Sequence, residues 1–285
     1  MNAIQQAIDQ IADIHEAVNA PRDGDYLKDG LLYCHKCNTP KQCRISCFGV
    51  ERVVSCACIC ESERREKKKA AQKQWEFQAM VRRNRKDAFG DESMSDKVFE
   101  RDDMRNPKLT KAMKTYAEQF DRFYKQSKGL LLYGTNGTGK TFAAICVANA
   151  LLDRGYTVLC TSAVILVNCI GSTFEKQEYI RSLNTYKLLV IDDLGAERDT
   201  ETAQQYIFDV IDSRYRSGKP VIITTNLTGP ELENPMNKAE KPDAAKRRIY
   251  SRLMEMCHPI EVNGADRRKL MLKDTHQSMK DILGM

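Results

Sequence analysis

From Lys128 onward, short runs of consecutive apolar residues alternate with longer stretches whose apolar positions recur at helical spacing. That alternation predicts an α/β domain with a parallel sheet. The predicted strands cover residues 129–133, 157–162, 188–192, 220–225 and 259–262, and five strands suffice for one doubly wound core. Near the start, Ile4, Ala7, Ile11, Ile14 and Val18 fall at alternating three- and four-residue steps and predict an amphipathic helix. Such a helix either packs on the segment that follows it or docks a partner. Between these regions, the stretch ESERREKKKAAQKQWEFQAMVRRNRKDAFG carries ten Lys or Arg against five Asp or Glu, with Trp75 and Phe77 interleaved. It predicts a basic helical linker, whose charges are either a solvated face or a nucleic-acid contact.

Composition changes this picture little. The chain has 285 residues, 42% hydrophobic and 29% charged, with a net charge of +6. This suits a large domain with a smaller appendage and is compatible with an anionic partner. No apolar run approaches the roughly 20 residues that cross a bilayer, and the first residues lack a signal-peptide profile, so a cytoplasmic protein with no membrane association is expected.

Cysteine distribution changes it more. Seven of the 11 cysteines lie between Cys34 and Cys60. Cys34-x2-Cys37 forms one knuckle, and Cys56, Cys58 and Cys60 form a second about 20 residues on, a spacing that suits tetrahedral zinc in a reducing compartment. If Val53 and Val54 lead a strand into Cys56, alternation turns all three later cysteines to one face. The expected ligands are Cys34, Cys37, Cys58 and Cys60, with Cys56 as substitute, Cys43 and Cys47 as spares, and His35 turned away. A disulfide-stapled module is the alternative. The resulting division is 1–62 for the N-terminal helix and zinc module, 63–96 for the linker, and 97–285 for the α/β domain.

The chemistry of that domain begins at LLLYGTNGTGK. Gly134, Thr135, Asn136, Gly137, Thr138, Gly139, Lys140, Thr141 and Phe142 form a strand-to-helix loop in which glycines let backbone N–H groups face phosphates. Lys140 reaches the phosphates and Thr141 offers its hydroxyl to magnesium. In LLVIDDLG, Asp192 ends an apolar strand, placed to hold magnesium through water. Asp193 can aim a carboxylate at a water attacking the γ-phosphate, which points to hydrolysis. In VIITTN, Thr225 and Asn226 can hydrogen-bond that water or the γ-phosphate. Arg248 and Arg252 share one helical face as candidates for an arginine finger, and Arg267 and Arg268 are candidates for a second sensor.

Taken in order, GLLLYGTNGTGKTF, KLLVIDDLGAER, DSRYRSGKPVIITTNLT and RIYSRLMEMCHPIEVNG resemble the AAA+ ATPases of the DnaC/DnaI helicase-loader family, especially phage-type replication proteins, with the transposon ATPase IstB as a close relative. The similarity covers roughly residues 97–269, and the cysteine-rich front resembles the zinc module that precedes this domain in many loaders. The resemblance implies an ATP-controlled protein with Mg²⁺ and Zn²⁺. Such a protein binds the replicative DNA helicase through its N-terminal part, binds single-stranded DNA through its AAA+ part, and self-associates through that domain. It carries magnesium and phosphate roles onto Lys140, Thr141 and Asp192, the water-directing role onto Asp193, the sensor role onto Asn226, and the finger onto Arg252. Many AAA+ proteins have glutamate where this chain has Asp193, which implies slow, switch-like hydrolysis with Glu197 as a substitute base. Two other readings share the motifs: an IstB-like helper of a transposase, and a zinc-dependent nucleic-acid-binding regulator with a structural nucleotide site.

Overall fold

The computed structural model describes residues 21–47, 50–89, 92–236 and 243–267, with 279, 282 and 283 beyond them. The expected N-terminal helix and Arg268 lie outside the described residues. The chain divides into two units at Phe77 and Gln78.

The first unit holds two small antiparallel hairpins. Strand β1 (Tyr26–Lys28) pairs with β2 (Leu31–Tyr33), and the chain reverses at Asp29 and Gly30, both at positive φ as a tight hairpin turn requires. Strand β3 (Gln42–Cys47) pairs with β4 (Val50–Ser55). Helix α1 (Ile59–Ala88) follows, and the unit boundary falls within it. Among the described residues of this unit the buried apolar side chains are Cys34 and Cys58, while Leu27, Val53 and Ile59 are more than half exposed. An apolar core of that size does not stabilise a fold unaided.

The second unit runs through α2 (Pro107–Glu118), α3 (Phe120–Lys125), β5 (Gly129–Tyr133), α4 (Lys140–Asp153), β6 (Val158–Ser162), α5 (Ala163–Ser172), α6 (Lys176–Ser182), β7 (Leu188–Leu194), α7 (Glu201–Arg216), β8 (Val221–Thr225), α8 (Gly229–Glu233), α9 (Ala244–Met256) and β9 (Cys257–Glu261). The five strands from β5 to β9 form one parallel sheet in the order β6-β7-β8-β5-β9. β9 begins at Cys257, earlier than the apolar pattern indicates, because helix α9 passes directly into it.

Both faces of the sheet are covered, which is why its central strands are continuous apolar runs. Leu131, Leu189, Ile191 and Ile223 pack toward α5, α7 and α9. Leu130, Leu132, Val190 and Ile222 face α2 and α4. Strand order reverses on either side of β5, and a ligand site is expected at the carboxyl ends there. None of the described helices is long and apolar enough to cross a membrane.

One polar side chain ties the opposite end of the sheet together. Arg214 on α7 is fully buried and donates to the carbonyls of Leu183, Tyr186, Lys187 and Pro220 at 2.6–3.3 Å, the last two immediately before β7 and β8. Burial pulls its guanidinium down to about 10. Removing it strands several buried carbonyls at once, so Arg214→Ala is expected to lower stability by about 3–5 kcal/mol. Arg214→Lys should not restore it, since a single ammonium lacks the planar fork that reaches all four acceptors. Denaturant midpoints of the two variants check this.

Candidate functional site

The phosphate loop connects β5 to α4. Gly137 and Gly139 have φ of 75° and 99°, a left-handed backbone that other residues rarely adopt. A Cβ on Gly137 would lie 1.9 Å from a carboxylate oxygen of Asp266, and one on Gly139 would lie 2.9 Å from the guanidinium carbon of Arg267. The loop is thus glycine-built both for its curl and for the close approach of residues after β9. Lys140, at the first position of α4, is buried and donates to the carbonyls of Gly134 and Thr135, each at 2.7 Å. Thr138 donates to Thr135 O at 3.0 Å, while Thr135 and Asn136 are exposed and Phe142 is half-buried in the first turn of α4.

Strand β7 brings two carboxylates to this loop. In a regular strand Asp192 and Asp193 would point to opposite faces. Here Asp193 sits at φ 52°, and the pairing of β7 with β8 shifts register between Ile191 and Leu194, so the strand bulges where the two aspartates stand. The Thr141 hydroxyl donates to Asp192 Oδ1 at 2.8 Å, joining the two magnesium candidates directly. Asn226, just beyond β8, approaches Asp193 Oδ1 through its amide at 3.4 Å. Lys140, Thr141, Asp192, Asp193 and Asn226 therefore form one group at the carboxyl ends of β5, β7 and β8.

Three features of this group were not legible from the motifs. Thr224 is fully buried on β8; its hydroxyl donates to Asp192 Oδ1 at 2.6 Å and accepts from the Asp193 N–H at 2.9 Å, fixing both aspartates from below. A threonine in an apolar strand gives no signal of that role. Thr225, expected to face the water or γ-phosphate, is instead fully buried and donates to Leu194 O at 2.7 Å. Strand alternation assigns the polar role to its neighbours Thr224 and Asn226. Arg267 donates its backbone N–H to Gly137 O at 2.9 Å, and its guanidinium meets Asp103 at 2.9 Å and Asp102 at 3.7 Å, two aspartates remote in sequence. The Glu197 carboxylate accepts from Gly195 N at 2.8 Å.

The structure does not bring Arg252 to this group within one chain. Arg252 lies on α9 against α7, paired with Asp212 at 3.3 Å and Glu255 at 3.2 Å, its guanidinium 4.1 Å from the Tyr215 ring centroid. Arg248 covers Phe208 in the same manner at 4.2 Å.

In the first unit, the Sγ atoms of Cys34, Cys37, Cys58 and Cys60 all lie within 4.8 Å of one another. Cys60 Sγ is 3.6 Å from Cys34 Sγ and 3.4 Å from Cys58 Sγ. A zinc–sulfur bond of about 2.3 Å gives a tetrahedron with edges of about 3.8 Å, so these thiols fit zinc closely. The expected strand through Cys56, Cys58 and Cys60 does not form. β4 ends at Ser55, and Cys60 stands in the first turn of α1. Cys56 turns to Pro40 O at 3.6 Å and is outside the group, Cys43 lies on β3, and His35 Nδ1 faces Asp25 at 3.2 Å. The Thr39 hydroxyl beside Cys37 draws that thiol down to about 5, whereas neighbouring Cys58 and Cys34 push Cys60 up to about 12. Four thiols at this spacing cannot all ionise without a cation.

Residues 70–275 match the family described as IstB-like ATP binding protein. The chain belongs to that family. Among characterised proteins, this IstB-like chain is similar to the replicative helicase loader DnaI of Bacillus subtilis (strain 168), 28% identical over 181 residues, covering 60% of this chain and 58% of that protein. It is also similar to the replicative helicase loader DnaC of Escherichia coli (strain K12), 29% identical over 129 residues, covering 44% and 51%. The matched regions thus span little more than half of those relatives' lengths. A crystal structure of DnaI shares the fold, with a TM-score of 0.53 at 23% identity, covering 65% of this chain and 99% of that one. The five-stranded parallel sheet with its phosphate loop after β5 is thus the fold this unit shares with that DnaI structure.

Because Lys140 is the one lysine of the phosphate loop and its Cα stands at a helix start outside the apolar core, Lys140→Ala is expected to abolish tight ATP binding while circular dichroism and the unfolding midpoint stay near the parent's. ATP titration of the purified variant checks it. Protein prepared without chelator is expected to contain about one zinc per chain by metal analysis. Chelation should unfold the first unit and leave ATP binding largely intact.

Proposed function

We propose that the protein is an ATP-hydrolysing loader that places the replicative DNA helicase on single-stranded DNA during replication. The observation that carries this reading is the similarity to two helicase loaders in a chain that sets a four-thiol module ahead of its nucleotide site. In this reading the phosphate loop holds ATP. Thr141 and Asp192 are the side chains that would hold magnesium, which when bound neutralises phosphate charge. Asp193 directs the attacking water, with Asn226 orienting its carboxylate and Thr224 fixing its backbone. The first unit, its cysteines closed on zinc, presents exposed Leu27, Val53 and Ile59 to the helicase.

Arg252 completes the site from the next protomer. Arg252 stands on helix α9 with 29% of its side chain exposed, paired with Asp212 and Glu255 and not with the group around Lys140. In an assembly it would exchange Asp212 and Glu255 for the neighbour's γ-phosphate.

The family description itself favours a second reading, a transposase helper of the IstB kind. Purification from the source cell separates the two: the loader reading expects a hexameric helicase to accompany the protein, and a transposase in its place would overturn it.

An arginine finger is worth about 10³–10⁵ in rate, so Arg252→Ala should lose most hydrolysis while still binding ATP. Combined with Lys140→Ala protein it should regain activity, since one intact composite site can form at their junction. If the mixture stays as inactive as either variant where the parent assembles and hydrolyses, Arg252 does not act in trans and Arg248 becomes the candidate.

A further inference from the structure

Every residue of α1 from 66 to 77 is exposed. A helical segment left exposed by the described residues needs a reason to carry a large aromatic side chain, yet Trp75, the chain's single tryptophan, is 67% exposed there. Its surroundings on the helix are not random. Arg64, Lys68, Ala71 and Trp75 follow one another at i, i+4, i+7 and i+11 and so share one face, whereas Glu63, Glu66 and Glu76 project from other sides.

The carboxylate at the head of this stripe does not neutralise it. Glu61 is buried and gripped by Arg22 at 2.9 Å, Arg64 at 2.9 Å and Arg65 at 3.3 Å, three guanidinium groups on one anion. Among the described residues, Lys67, Lys68 and Lys69 form no ion pair. Trp75 leans, as helical side chains do, over the turn N-terminal to its own Cα, and there Ala71 is too small to cover the ring. A cationic stripe that leads to an uncovered indole combines phosphate attraction with a stacking platform, the two elements with which proteins hold single strands. An acidic protein surface would meet the charges but leave the indole without a flat partner.

We propose that the Arg64–Trp75 face of α1 is a contact surface for single-stranded DNA, with Arg64 and Lys68 on phosphates and Trp75 stacked on a base. This rests on the reading of the chain as a loader acting on single-stranded DNA and adds a surface outside the AAA+ unit.

The single tryptophan makes the test direct. Titrating the intact protein with a labelled oligothymidylate should quench Trp75 emission with the same midpoint as the oligonucleotide's anisotropy. Trp75→Ala should weaken binding roughly 5- to 100-fold, and Trp75→Phe should recover most of it. Lys68→Gln should reduce the salt slope of binding by about 0.7. All three should bind ATP like the parent. Should the oligonucleotide bind without quenching and Trp75→Ala match the parent, the contact lies elsewhere and only this inference falls. A change in Trp75 emission on adding helicase but none with DNA makes the face a protein-docking surface and overturns it. Absence of any oligonucleotide binding, with or without ATP, removes the inference together with the DNA part of the loader reading, while copurification with a helicase judges the remainder separately.

Discussion

The left-handed backbone at Asp193 is the constraint on which the nucleotide site depends. Two consecutive carboxylates can serve one site only if strand alternation is broken between them, and the bulge in β7 breaks it. Aspartate tolerates positive φ better than most residues, so the residue type proposed to direct water also permits the backbone that would aim it. Thr224 secures the arrangement from the neighbouring strand, bonding the Asp192 carboxylate and the Asp193 N–H together.

The two units solve the problem of stability in different ways. The second unit buries continuous apolar strands on both faces and fastens their far ends with a single guanidinium. The first unit has almost no apolar core among its described residues. Its interior is a set of thiols beside the buried Asp25–Lys41 pair at 2.7 Å and the arginine-ringed Glu61. Lys41 and the surrounding donors hold the Asp25 carboxyl well below the usual range, so that pair stabilises the unit above the ordinary aspartate pKa and ceases to as acid protonates it. In the proposed zinc-bound form, coordination supplies the remaining folding free energy, so the thiol geometry would matter more there than any hairpin contact.

The parts of this architecture that were legible in the sequence are those governed by local rules. A buried parallel strand must be an apolar run, so β5 is found at its full extent, and the phosphate loop needs glycine, lysine and threonine at fixed spacing. What was misread involved a local pattern with two explanations. Cys56, Cys58 and Cys60 alternate as a strand would, but the strand ends at Ser55 and a helix starts at Ile59, so Cys56 and Cys58 stand between the two elements and Cys60 is helical. Two adjacent threonines are equivalent in composition, and only the sheet shows that Thr224 faces the aspartates while Thr225 is sealed on Leu194. Asp102 and Asp103 had no signal at all, because their partner Arg267 is far away in the chain.

Those two aspartates also set the terms on which phosphate enters. Arg267 is held by Asp102 and Asp103 while its backbone braces Gly137, and Lys140 is held by the Gly134 and Thr135 carbonyls. Buried cations without partners are costly, so these contacts let the loop keep its shape with its charges satisfied. Phosphate oxygens must then compete for the same donors, and the gain on binding is the difference between two satisfied states. For Arg267, which in the proposed reading meets phosphate as a second sensor, the exchange is of carboxylates for phosphates, anion for anion, so it would change partners at little net cost, the property a residue needs if it is to register which nucleotide is bound.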